Sequence, residues 1–296
     1  MLDPVDWLLV ANVPVGKNPA GMALLPNGRE LYVSNFGGGS VSVVDTQNEV
    51  VVATVLVGMN PSGIAAAPDG SAVWVANFGS NTVSRIDVHS KTVRDTIPVG
   101  SHPRGIGVSP NGDRVYVANA SEQSLSEIST EANQVVATIR VGQTPMSVAV
   151  APAGDLVYVS NAGSASVSVI ALARHSVIAT VPVGANPVAV VISSDGNRAF
   201  VVNQNLLHGP GSVTVVDAKG FKPVATFAVG NNPLGMGISE EDDTIYVSNY
   251  LDGTVSVLDP RQALIRSTHA VGLLPVAVAV SRKPPADLAP ESGGRP

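Results

Sequence analysis

Three side chains in this sequence have the chemistry of general acid–base catalysis near neutral pH, His102, Glu122 and His208. An imidazole titrates close to neutrality, and a carboxylate can take or return the proton it moves. Arg104, two residues after His102, adds a planar fork of donors suited to a carboxylate or carbonyl oxygen. The aromatic residues Phe36, Phe78 and Tyr250 and the amides Gln143 and Gln204 recur at related positions. An aromatic wall facing His, Arg, Glu and Gln selects a small amphipathic ligand with an anionic or carbonyl end. That set reads as the mouth of a small-molecule or protein binding site. The alternative is a metal-independent lyase, isomerase or lactonase-like enzyme using His102, Glu122 and His208. The sequence has no cysteine and no G-x-S-x-G, H-E-x-x-H, Walker or EF-hand motif. No metal and no cofactor are therefore expected. The amides Asn18, Asn60, Asn186 and Asn232 could assist a hard cation, but each precedes proline as an ordinary turn residue and no carboxylates converge with them.

The elements that must position these residues are repeats. The pattern V-G-x-x-P places glycine at 16, 58, 100, 142, 184, 230 and 272, in steps of 42 except for one step of 46. About sixteen residues after each of the first six glycines comes an aromatic, a valine, any residue and an asparagine, ending at Asn35, Asn77, Asn119, Asn161, Asn203 and Asn249. One unit, from Gly58 to Pro98, carries four short alternating segments with a P-D-G turn after the first, the pattern of four antiparallel strands. The first strand is rich in Gly and Ala, as strands crowded around a common axis must be. A four-stranded unit repeated radially is a β-propeller blade.

The YVSN and YVAN segments (Tyr32–Asn35, Tyr116–Asn119, Tyr158–Asn161, Tyr246–Asn249), the V-G-x-x-P turns and the P-D/N-G turns resemble those of the YVTN-repeat β-propeller family over residues 1–281. The resemblance implies an all-β propeller, usually seven-bladed. For function it implies only a range, from binding modules and surface proteins to lactonase-like or oxidoreductase-associated propellers.

Six blades are complete in the sequence. The stretch before Gly16 aligns without gaps on that before Gly272, so residues 5–15 read as a fourth strand and 275–281 as a first strand. Their pairing would close the ring as a reduced seventh blade, in a single domain over 1–283 with a disordered tail over 284–296. The alternative is that residues upstream of Met1 are missing. The chain would be cytoplasmic as written, with no signal peptide or long apolar run, and exported if a leader were missing. The net charge of −6 argues against nucleic acid and anionic lipid. Oligomeric state is not legible.

What repeats in every unit is structural, so function is sought in departures from the repeat. Counted from the blade asparagine, the next strand's apolar residue follows after six positions everywhere except Asn203 to Val213, where it follows after ten. This insertion, with Leu206, Leu207 and His208, reads as a flap over the mouth, and Gly209-Pro210-Gly211 as its hinge. The other histidines, His89, His175 and His269, read as surface residues of outer strands. The run Glu240–Asp243 reads as a solvated acidic turn on the opposite face.

Overall fold

The computed structural model describes residues 1, 7, 10–205, 209–239, 241–261 and 264–280. These form six four-stranded antiparallel sheets, each ordered inner, second, third, outer strand in sequence. In blade one the strands are Pro19–Leu24, Glu30–Asn35, Ser40–Asp45 and Val50–Leu56. The predicted strands of blade two fall within about a residue of Pro61–Ala66, Ala72–Asn77, Thr82–Asp87 and Thr92–Pro98. The inner strands follow one another around the axis in chain order.

Packing between blades explains the aromatic of each repeat. Trp74, buried in blade two, lies in one cluster with Val83 and Ile97 of its own blade and with Val115, Val117 and Ile128 of blade three. Tyr32, Tyr116, Tyr158 and Phe200 fill the same role, giving five such clusters between consecutive blades. Burying a large aromatic removes up to 250 Å² of its surface from water, so these contacts carry much of the driving force for assembly.

The asparagine that ends each second strand clamps the third strand. Asn119 Nδ2 donates to Ser124 Oγ at 3.0 Å and Ser126 Oγ at 2.9 Å, and Asn35, Asn77, Asn161, Asn203 and Asn249 bond paired hydroxyls in the same way. The reverse face of the amide packs on the glycine of V-G-x-x-P. A Cβ added at Gly58 would lie 2.7 Å from Asn77 Cγ, so only glycine fits. Two residues later the backbone turns left-handed in every repeat, at Asn18, Asn60, His102, Thr144, Asn186, Asn232 and Leu274, with φ between 50° and 54°. Asparagine tolerates that conformation best among residues with a side chain, which accounts for its four occurrences there.

Closure differs from expectation. Among the described residues, neither 10–15 nor 275–280 forms a strand, and no ladder joins them. Inner and outer strands are never neighbours in these sheets, because two strands of roughly 5 Å spacing separate them. Direct pairing would require one segment to leave its station. Residues 275–280 instead keep the inner-strand station beside blade six. Val276 O accepts from Ser248 Oγ at 3.3 Å, as Ser62 O accepts from Ser34 Oγ at 2.6 Å. Trp7 stacks on His269 of the blade-six outer strand, 3.8 Å between ring centroids and 4° from parallel. The expected tail, 284–296, lies outside the described residues.

Turn aspartates on the far face hold hydrogen bonds that favour their charged form. The Ser193 hydroxyl and the Asn197 amide lower Asp195 to about 2. The Asn48 amides lower Asp45, and the Ser90 amide and hydroxyl lower Asp87. A folded value below the unfolded one, about 3.9, gives stability that is present above that value and lost as pH falls through the folded one. The urea midpoint should therefore fall as pH drops from 4.5 to 2.5, and less steeply in Asp195→Asn. A midpoint constant over that range would contradict the assignment.

Candidate functional site

On one end of the barrel each V-G-x-x-P turn is stitched to the turn between second and third strands of the same blade. Phe36, Phe78, Ala120, Ala162, Gln204 and Tyr250 donate their backbone N–H to the carbonyls of Asn18, Asn60, His102, Thr144, Asn186 and Asn232, at 2.9 to 3.2 Å. The two turns therefore share a face, as the repeat arithmetic requires, and their side chains rim it together.

Blades two to four hold a cavity of about 430 Å³ at this rim. Phe78 contributes from blade two, Arg104, Ala120, Ser121 and Gln123 from blade three, and Gln143, Thr144 and Met146 from blade four. The Arg104 guanidinium carbon stands 4.7 Å from the centre of the Phe78 ring. The side chain is half-buried, and burial pushes its pKa below the ordinary arginine value. Among the described residues Arg104 makes no ion pair and no side-chain hydrogen bond. A partly desolvated cation without a partner is costly unless something else supplies the anion.

Phe36, 6.0 Å from Phe78, and His102, 4.5 Å from it, extend the same cluster. Aromatic and polar residues thus lie side by side rather than on opposed arcs, because blades two and three are neighbours. His102 occupies the left-handed turn position that asparagine holds in four of the blades. Its N–H donates to Asn81 Oδ1 at 2.9 Å, and its Nδ1 lies 2.7 Å from Ser121 Oγ. Glu122 accepts from Ser101 Oγ at 2.9 Å. That is a turn-capping position, where Ser80, Ser164 and Asp252 accept the corresponding N–H groups of their own blades. His102 and Glu122 share no hydrogen bond or ion pair among the described residues.

The remaining candidates lie elsewhere. Gln204 is buried, its Oε1 accepting from Asn186 Nδ2 at 2.5 Å, and Tyr250 makes no ring contact with Phe36 among the described residues. His208, with Leu206 and Leu207, lies outside the described residues. The hinge expected at Gly209–Gly211 is narrower than supposed. Pro210 begins the third strand, Pro210–Asp217, and pairs with Asn231 of a lengthened outer strand, Lys222–Asn231. Asn205 Nδ2 closes the loop base on Pro210 O at 3.3 Å.

Ser121, Gln123 and Thr144 were not singled out in the sequence. They stand at turn positions, and comparing every turn position across the 42-residue register would have found them. A second charged group was also missed. Glu127, buried between blades three and four, accepts from Arg114 Nε at 3.1 Å and lies 2.9 Å from His175 Nδ1. His175 is exposed, as read, and also bridges to the next blade through Glu127, while His269 is half-buried beneath Trp7. Of the acidic turn, Glu240 lies outside the described residues, Asp243 accepts the Ser194 N–H at 2.8 Å, and Asp242 lies 3.8 Å from Arg266. Among the described residues no three His, Cys, Asp or Glu side chains gather as a metal site. Among the described residues no helix is long and apolar enough to cross a membrane.

Six radial four-stranded sheets with stitched turns at one mouth define a β-propeller. Residues 57–154, blades two and three with the inner strand of blade four, match the family model described as YNCE-like beta-propeller, in keeping with the YVTN-type repeats. Among solved structures, the hydrazine synthase of Kuenenia stuttgartiensis is similar in fold, with a TM-score of 0.79 and 24% identity over 89% of this chain and 90% of that one. No curated protein matches the sequence.

Proposed function

We propose that this propeller is a binding module for a small molecule, seated in the mouth cavity between blades two and four. The observation that carries the reading is Arg104, a half-buried cation with no ion pair or side-chain hydrogen bond among the described residues, set over Phe78 beside a cavity of metabolite size. Gln143, Gln123 and Thr144 supply neutral hydrogen-bonding groups around it. The acid–base alternative draws no support from the geometry, since His102 and Glu122 are each engaged in their own turns. In the same reading the ring has seven stations, with 275–280 at the inner position of the seventh.

A thermal-shift panel of small acids, amides and alcohols tests the site, using Met146→Trp to fill the cavity. A binder at a hundred times its Kd stabilises by about 2.7 kcal/mol, which raises the melting temperature by roughly 5–10 °C. The shift should vanish in Met146→Trp. A panel that moves neither protein, or both equally, would overturn the reading. Deleting the four residues 206–209 restores the spacing of the other blades, so the melting temperature should stay within about 2 °C. If the insertion serves as a flap, the ligand response should fall. An unchanged response would make it an inert loop.

A further inference from the structure

Resting on that reading, we infer that the ligand is a small monocarboxylate, its carboxylate on the Arg104 fork and its apolar body along the inner rim toward Met146, Val188 and Leu234. The residue after each inner-strand proline holds one station in every blade. An added Cβ at Gly21, Gly63, Gly105 and Gly235 would meet the carbonyl oxygens of Ser62, Arg104, Met146 and Val276 at 2.6, 2.1, 2.6 and 2.5 Å, respectively, so the inner strands abut with the same register around the axis. At this station Met146, Val188 and Leu234 are half-buried and apolar, and Arg104 alone is charged.

The charge count sets the class of anion. One guanidinium is balanced by one negative charge, and it accepts two oxygens of a planar carboxylate in parallel. Glu122, the acid on the same loop as Ser121 and Gln123, is directed to Ser101. The remaining polar lining is neutral, so a phosphate dianion would lack a second cation. Met146 in the lining, with Val188 and Leu234 at the same station of the two blades beyond, favours a body of several carbons over an inorganic ion. Burial leaves Arg104 poorly solvated, a cost that a bound anion would offset.

Isothermal titration at pH 7 and low salt with butanoate, hexanoate, hexanamide and inorganic phosphate tests this. Hexanoate should bind several-fold more tightly than butanoate, from the added methylenes. It should bind at least about tenfold more tightly than hexanamide, from the lost charge-assisted pair. Phosphate should bind more weakly than hexanoate. Arg104→Met should lose about tenfold for hexanoate and change little for hexanamide, with Arg104→Lys intermediate because it keeps the charge without the fork. Without ligand, Arg104→Met should melt no more than about 2 °C below the unaltered protein, since it loses no ion pair. Equal affinity for hexanoate and hexanamide, tighter phosphate binding, or no heat from hexanoate would overturn the inference, while the Met146→Trp panel judges the mouth independently. A large drop in melting temperature for Arg104→Met would also overturn it, by making Arg104 structural.

Discussion

Gly63→Ala should lower the melting temperature by about 6–12 °C, the shift that roughly 3 kcal/mol produces in a domain of this kind. The added methyl would lie 2.1 Å from the Arg104 carbonyl oxygen and 3.3 Å from Gly105 Cα. These are backbone atoms of the adjacent inner strand, held by that strand's own ladder, so they cannot swing aside as a side chain would. Relief requires separating blades two and three, which opens the Trp74 cluster as well. The control is Gly107→Ala on the inner strand of blade three, where the nearest atom would be at 3.4 Å, an ordinary contact. Urea or thermal melts of the two variants decide it. Comparable losses would mean that crowding at the axis is not what selects glycine at position 63. Because the clash falls on Arg104 itself, Gly63→Ala should also weaken ligand binding.

Asn119→Ala should cost about 3 kcal/mol. It strips the donor from Ser124 and Ser126, leaves a gap in a fully buried site, and removes the amide against which Gly100 packs. Adding Ser126→Ala to Asn119→Ala should cost less than Ser126→Ala alone, with a coupling of about 1 kcal/mol in a double-mutant cycle. Purely additive losses would mean that the amide acts through packing and not through its hydroxyl partners. Asn119 also ends the strand that leads into the cavity loop at Ala120 to Gln123. Its loss should therefore blunt any ligand response before the protein unfolds.

The repeat made the blades legible because each carries the same turn chemistry at the same offsets. A left-handed position two residues after each glycine, and in five blades a buried aromatic two residues after the second strand begins, are local requirements that sequence spacing records. Closure was less legible, because a single strand's register does not encode its neighbours. Residues 5–15 and 275–281 resemble outer and inner strands, and those never touch within one blade. The same limit hid Glu127. Its partner His175 lies 48 positions away on the next blade, a contact made by the radial packing and not by the repeat itself. Phe78, Arg104 and Gln143 were legible as departures from the repeat on one face, and they line the cavity. Gln204 was a departure of the same kind, yet it is locked to Asn186, so departure alone does not separate a binding residue from a substituted turn contact.

The most direct measurement of the central claim is the electron density of crystals of the unaltered protein soaked in hexanoate. The account predicts a ligand in the mouth between blades two and four, with both carboxylate oxygens within about 3 Å of the Arg104 guanidinium nitrogens and the chain against Met146. Density for the ligand in that cavity should be weaker in crystals of Arg104→Met soaked identically at a concentration near the Kd of the unaltered protein. A ligand found on the opposite face or along an outer strand, with the Arg104 cavity holding only water, would contradict it.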